Sequence, residues 1–196
     1  MTTGVFGGAF DPPHLGHVAL VREALARFGL ERLVVVVTGD PPHKRVETDA
    51  ETRFGLAELA FGGLPGVELS RHELERPGPS YTVDTARWAE ERWGDVVFLV
   101  GADEFAGFAS WKAPDEILEH VRLGVATRPG YPRERLRPVL EELRRPDRVE
   151  LFEIPAVDVS STEIRTRAAR GEPVAGLVPA EVARRIVELD LYHGEG

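Results

Sequence analysis

The sequence predicts an α/β fold in which a doubly wound parallel sheet carries helices on both faces. Three observations predict it. Strand-like apolar runs and helix-periodic segments alternate six times along 196 residues, the pattern of repeated strand–helix units. The run Val34, Val35, Val36, Val37 is apolar at every position, as a strand buried on both faces requires. Unusual glycine-bearing loops follow the first and fourth strands, where such a sheet opens its crevice.

The elements follow in order. Residues 2–8, TTGVFGG, read as the first strand. Residues 15–29 place apolar side chains at helical spacing and stop at Gly29, a residue suited to a helix end. Residues 32–39 hold the valine run and form the second strand. A polar loop over 39–50 leads to a helix over 51–61, then to a third strand over 66–74. Residues 80–93, SYTVDTARWAEERW, form a helix, and VVFLV at 96–100 forms the fourth strand, ending in Gly101-Ala102-Asp103. A helical region with Trp111 and residues 114–121 precedes the fifth strand at 122–130. Residues 133–146 read as an exposed helix that Pro138 interrupts or starts. A sixth strand spans 148–154, and the last two helices span 160–171 and 179–191. With no repeat, low-complexity tract or linker, residues 1–196 are expected to be one domain of Rossmann-like type, capped by helices over about 160–191.

Composition narrows the function. Hydrophobic residues make up 42%, enough for a packed core rather than disorder. The net charge of -9 argues against a broad nucleic-acid surface while leaving room for a local phosphate pocket. There is no Cys, which rules out disulfides and cysteine-bound metal. No apolar run approaches the roughly 20 residues that cross a bilayer, and Met1 leads directly into a strand. The expectation is a cytoplasmic protein.

Residues 7–17, GGAFDPPHLGH, crowd glycines, prolines and histidines between the first strand and its helix. Gly7 and Gly8 let backbone amides approach a ligand, and the helix start favours an anion. His14 and His17, three apart, can face one crevice if His17 lies in the first helical turn. The stretch lacks the Gly-Lys-Ser/Thr end of a P-loop and the spacing of a dinucleotide fingerprint. A two-histidine metal site would need a third ligand, which is not evident. A tight turn with incidental histidines is the plain alternative, and the clustering at this place in the fold favours phosphate binding.

These residues resemble the first signature of nucleotidyltransferases with a His-x-Gly-His motif, here His14-Leu15-Gly16-His17. With PPHK at 41–44, SYTVDT at 80–85, GAD at 101–103, Trp111, RPG at 128–130 and SSTEIR at 160–165, the chain is similar along nearly its full length to the bacterial nicotinate-nucleotide adenylyltransferases. Ala9 departs from the pattern, since family members often have Thr there. The resemblance implies transfer of AMP from ATP to nicotinate mononucleotide, with deamido-NAD and pyrophosphate as products. It implies an ATP site of Gly7, Gly8, Ala9, Phe10, His14, His17, Gly101, Asp103, Ser161, Thr162 and Arg165. It also implies a mononucleotide site of Asp11, Lys44, Tyr81, Thr82, Thr85 and Trp111, with His14, His17, Lys44 and Arg165 acting in catalysis. Mg²⁺ is expected to bind mainly through the ATP phosphates, without fixed protein ligands.

The residues carry their own readings beside the resemblance. Ser160 with Glu163 fits a capping box, so SSTEIR alone could be only a well-capped helix. Arg165, however, sits one turn inside, where a cation is unfavourable unless an anion binds nearby. Lys44 is one of two lysines and alone would be read as a solvated loop residue, with His43 beside it. Trp111 suits either a core position or an aromatic wall for a flat ring. Asp103 at a strand end suits ribose hydroxyls, and Asp11 suits a magnesium contact. Enzymes using phosphopantetheine, nicotinamide mononucleotide or a cytidylyl donor, and a non-catalytic nucleotide-binding module, are the competing readings.

Overall fold

The computed structural model describes residues 1–42 and 46–193. Six strands, β1 (Thr3–Gly8), β2 (Arg32–Val37), β3 (Val67–Ser70), β4 (Val96–Gly101), β5 (Arg122–Thr127) and β6 (Val149–Glu153), form one sheet of order β3-β2-β1-β4-β5-β6. Every pairing is parallel. β1 lies between β2 and β4, with Val5 paired to both Val34 and Phe98. The strand order reverses direction at β1, so the crevice opens beyond the ends of β1 and β4.

The valine run behaves as its composition requires. Leu33, Val35 and Val37 enter one apolar layer, while Val34 and Val36 enter the other, because successive side chains alternate faces. On the first face lie helices α1 (Leu15–Arg27) and α2 (Ala50–Phe61). On the second lie α3 (Thr82–Trp93), α5 (Pro114–His120) and α6 (Arg137–Glu142), with the single turn α4 (Ala102–Phe105) leading from β4. Helices α7 (Ser161–Ala169) and α8 (Ala180–Glu188) return to the first face. Ile164, Val182 and Ile186 join its apolar layer, so the helices expected as a cap share the core of α1 and α2.

Three sequence readings change. β3 is four residues long, because the chain turns at Arg71, whose carbonyl accepts the Glu75 amide at 3.0 Å. The segment 133–146 splits into a 3₁₀ turn and α6, and Pro138 starts the latter. That segment is not simply exposed, since Leu136, Val139 and Leu143 are buried against the second face. Trp111 stands in extended backbone just after a 3₁₀ turn rather than within a helix.

Candidate active site

Two cavities adjoin at the crevice, and Gly7, Gly8, Ala9 and Glu104 line both. The larger, of about 450 Å³, lies over α1 and α7; the smaller, of about 240 Å³, lies toward α3.

The loop after β1 is built around aromatic rings. A Cβ on Gly8 would come within 2.8 Å of the Phe10 ring, and one on Gly7 within 3.1 Å of Phe98. The two glycines therefore make room for packed rings as well as for a ligand. Phe10 takes a left-handed backbone (φ 51) and packs edge-on to Phe6, Phe61 and His17. The Asp11–Pro12 peptide bond is cis.

His14 is the N-cap of α1 and His17 its third residue, and they cap one another. The His17 amide donates to His14 Nδ1 (3.4 Å), and the His14 amide donates to His17 Nδ1 (3.2 Å). The rings stack at 3.6 Å and 18°. Gly16 is small because a Cβ there would press on the His14 ring at 3.1 Å. Since each Nδ1 accepts a hydrogen bond, the neutral rings carry their protons on Nε2. Burial, with Arg128 adding repulsion, holds His14 down to about 4. His14 is thus a neutral donor at pH 7.

Asp11 is a structural hub. Its buried carboxylate accepts the Glu47 amide (2.6 Å), the Thr48 hydroxyl (2.6 Å) and the Tyr192 hydroxyl (2.8 Å). The sequence suggested a substrate or magnesium contact. With both oxygens engaged by internal donors, the carboxylate instead organises its loop. Burial, with the Asp11 charge beside it, pushes the Tyr192 phenol well up. Arg165 joins the same hub: Nη1 donates to the Asp11 carbonyl (2.8 Å) and Nε to Glu47 (2.9 Å).

Arg165 lines the larger cavity together with His14, His17, Phe10 and Asp11. Gly101, Asp103, Ser161 and Thr162 complete the expected ATP set on its walls. Ser160 caps α7 through the Glu163 amide at 3.1 Å. The Ser161 hydroxyl donates to the Pro12 carbonyl at 2.9 Å, so it ties α7 to the loop and leaves the helix-end amides to face a ligand. Asp103 lies in α4 with an exposed carboxylate 3.3 Å from Arg128.

Tyr81, Thr82 and Trp111 line the smaller cavity. Tyr81 is the N-cap of α3 and makes no side-chain cap bond, so the first amides of α3 remain for an anion. Thr85 is not on this wall. It is buried, and its hydroxyl donates to Glu73 Oε1 at 2.5 Å. Lys44, with His43, lies outside the described residues.

Sequence reasoning missed Arg53, Glu73, Lys112, Arg128 and Tyr131. The last four line a cavity. Arg53 is 1% exposed; it donates to the carbonyls of Ala9 (2.8 Å), Thr38 (2.6 Å), Gly39 (2.9 Å) and Thr48 (3.2 Å). It thereby binds the ends of β1 and β2 to the start of α2. Two signals were available: Lys112, the second lysine of the chain, directly follows Trp111, and Arg128 opens the RPG motif.

Comparison with known proteins fits this geometry. The cytidylyltransferase-like family matches residues 5–167. The "Probable nicotinate-nucleotide adenylyltransferase" of Rubrobacter xylanophilus is 38% identical over 200 residues, covering 100% of this chain and 94% of its own. The protein of the same name from Thermus thermophilus is 41% identical over 194 residues, covering 98% and 100%. The solved nicotinic acid mononucleotide adenylyltransferase of Plasmodium falciparum, complexed with NaAD, shares the fold with a TM-score of 0.81, at 16% identity over 97% of each chain.

Proposed function

The chain belongs to the cytidylyltransferase-like family and, within it, to the nicotinate-nucleotide adenylyltransferases, and from that premise we propose that it transfers AMP from ATP to nicotinate mononucleotide, forming deamido-NAD and pyrophosphate in NAD biosynthesis. The observation that carries this reading is the pair of adjoining cavities. One is lined by imidazoles, an arginine and helix amino ends; the other by aromatic rings and the uncapped start of α3. They meet at Gly7–Gly8–Ala9, where two nucleotides could bring their phosphates together. We treat residues 1–196 as one nucleotidyltransferase domain. No helix among the described residues is long and apolar enough to cross a membrane, and a cytoplasmic location goes with the reading.

The nucleophile is a phosphate oxygen of the mononucleotide, largely dianionic at neutral pH because its second pKa is about 6. It attacks the α-phosphorus of ATP in line, the bond to the β-phosphate oxygen breaks, and pyrophosphate leaves. No covalent enzyme intermediate is needed. The chain's task is to position two polyanions and to stabilise growing charge. His14 and His17 are assigned as Nε2–H donors, Arg165 as a fixed cation, and α1 and α7 add the positive ends of their dipoles. Lys44 is assigned to the same task on its sequence motif. Asp103 is assigned to the ribose hydroxyls on its sequence position.

The divalent cation used with ATP in this family, Mg²⁺ in our reading, is assigned mainly to the phosphate oxygens, whose charge it would neutralise.

The smaller cavity supports preference for the acid over the amide. A carboxylate accepts hydrogen bonds only, matching the amides of α3 and the Thr82 hydroxyl, and Lys112 adds a cation on the same wall. Polar mismatch of this kind can give selectivity of about ten-thousandfold in well-built sites. The test is pyrophosphate release with ATP or CTP, and with nicotinate or nicotinamide mononucleotide. ATP with nicotinate mononucleotide should give the highest kcat/KM. Preference for the amide would overturn the acceptor assignment, preference for CTP the donor assignment, and absence of turnover the enzyme.

A further inference from the structure

Glu73 lines the smaller cavity yet is 6% exposed. Thr85 donates to its Oε1 at 2.5 Å. Among the described residues it forms no ion pair. Arg76, the basic side chain whose charge it senses, instead stands 3.8 Å from Asp84. Burial is the dominant influence on its pKa and raises it, while the Thr85 hydroxyl opposes that shift. A hydroxyl from α3 thus holds a buried carboxyl group at the cavity wall. An uncompensated charge there is costly, and a chain needing only a brace could use a neutral amide.

Among the described residues, the other charges facing this cavity are Lys112 and Glu104. Lys112 Nζ sits 3.9 Å above the Tyr81 ring, and Glu104 is exposed at the border with the larger cavity. Phe98, Tyr81 and Trp111 supply aromatic surface. The cavity therefore offers a cation on its Lys112 side, a buried carboxylate on its Glu73 side, and flat apolar walls. That distribution matches a planar ring bearing both charges. Nicotinate mononucleotide is such a molecule: its ring nitrogen, bonded to ribose, is a pyridinium cation, and its carboxyl group is an anion.

We propose that Glu73 is a specificity-determining residue, whose carboxylate is the counter-charge for the cationic ring of the acceptor, while Lys112 and the α3 amides answer the ring's carboxylate. This rests on the acceptor assignment made above and deepens it. Glu73 selects for the N-linked cationic ring, a feature shared by the acid and the amide, whereas Lys112 separates one from the other.

The experiment compares wild type, Glu73→Gln and Lys112→Met. Gln keeps an acceptor for Thr85 and removes the charge. Binding is measured by calorimetry, which needs no turnover, for both mononucleotides and for an uncharged analogue in which carbon replaces the ring nitrogen. Glu73→Gln should weaken both mononucleotides at least about tenfold, as expected for losing a unit charge within about 12 Å at an effective dielectric of about 20. It should leave the analogue with the uncharged ring, and ATP, within about twofold, well below that loss. Lys112→Met should weaken only the acid. Equal loss for the charged and uncharged rings would make Glu73 a brace and overturn the proposal, as would no loss at all. Should the Gln variant not fold, wild type alone decides: binding the uncharged analogue as tightly as the pyridinium form defeats the idea. Wild type that binds pyridinium nucleotides selectively but releases no pyrophosphate would refute the reaction while supporting Glu73.

Discussion

Replacing Arg53 by Leu should destabilise the protein by about 3 kcal/mol. The guanidinium feeds four carbonyls, those of Ala9, Thr38, Gly39 and Thr48. An acceptor stripped of its partner costs about 1–3 kcal/mol. All four lie in half-buried segments beside the cavities, where water can enter, so the low end applies and the loss is about 4 kcal/mol. Leu removes the burden of a buried cation, which returns about 1 kcal/mol. That burden is visible in Arg53 itself, whose pKa burial lowers against the raising influence of Asp11 and Asp49. For a chain of this size each kcal/mol is worth about 2–4 °C, so the melting point should fall by roughly 6–12 °C. Arg53→Lys should lie between, since an ammonium lacks the planar fork. Urea unfolding and calorimetry measure the change. A Leu variant within about 0.5 kcal/mol of wild type, the range of an ordinary surface change, would refute the reasoning.

His17→Ala should lower kcat about a hundredfold or more, as for loss of one preorganised donor; near-normal turnover in a folded variant would end that assignment. Arg165→Lys should raise the ATP KM about tenfold, since a bidentate fork becomes a point charge. The bonds of Arg165 to Asp11 and Glu47 mean stability should also fall, by about 1 kcal/mol, and a larger melting loss with unchanged ATP kinetics would make the residue structural. His14, lowered to about 4 in the fold, stays neutral while the unfolded chain takes up its proton near 6.5. Stability therefore declines as pH falls from about 6.5 to 4, by up to about 3 kcal/mol. Unfolding of wild type and His14→Asn, which keeps an N-cap acceptor, should converge by that amount over this window, and parallel curves would contradict the assignment.

The strands were readable because a buried parallel strand announces itself by unbroken apolarity, as in Val34–Val37. The histidine loop was readable because its residues cluster in sequence and lie at the strand-order reversal. Arg53 was hidden because its partners are carbonyls on three segments, and carbonyls leave no trace in side-chain type. Glu73 was hidden for a related reason: its hydroxyl partner, Thr85, is 12 residues away. Thr85 itself was assigned to the ligand, since a Thr in the first turn of α3 gives no sign of which way it points. The structural role of Asp11 leaves little trace in the sequence, because Tyr192, one of its hydrogen-bond donors, lies 181 positions along the chain.

The mutual histidine cap has a bearing on how the reaction would end. A site that grips phosphates with fixed positive charges holds its polyanionic leaving group most tightly, and escape then limits the cycle. His14 instead grips as a neutral dipole, oriented by the same backbone bond that starts α1. In the proposed reaction its Nε2–H would bond charge growing at the reacting phosphorus, yet a neutral ring adds no long-range attraction for pyrophosphate moving away. Folding sets that direction before any nucleotide arrives, so the same imidazole could help form the product without becoming its trap.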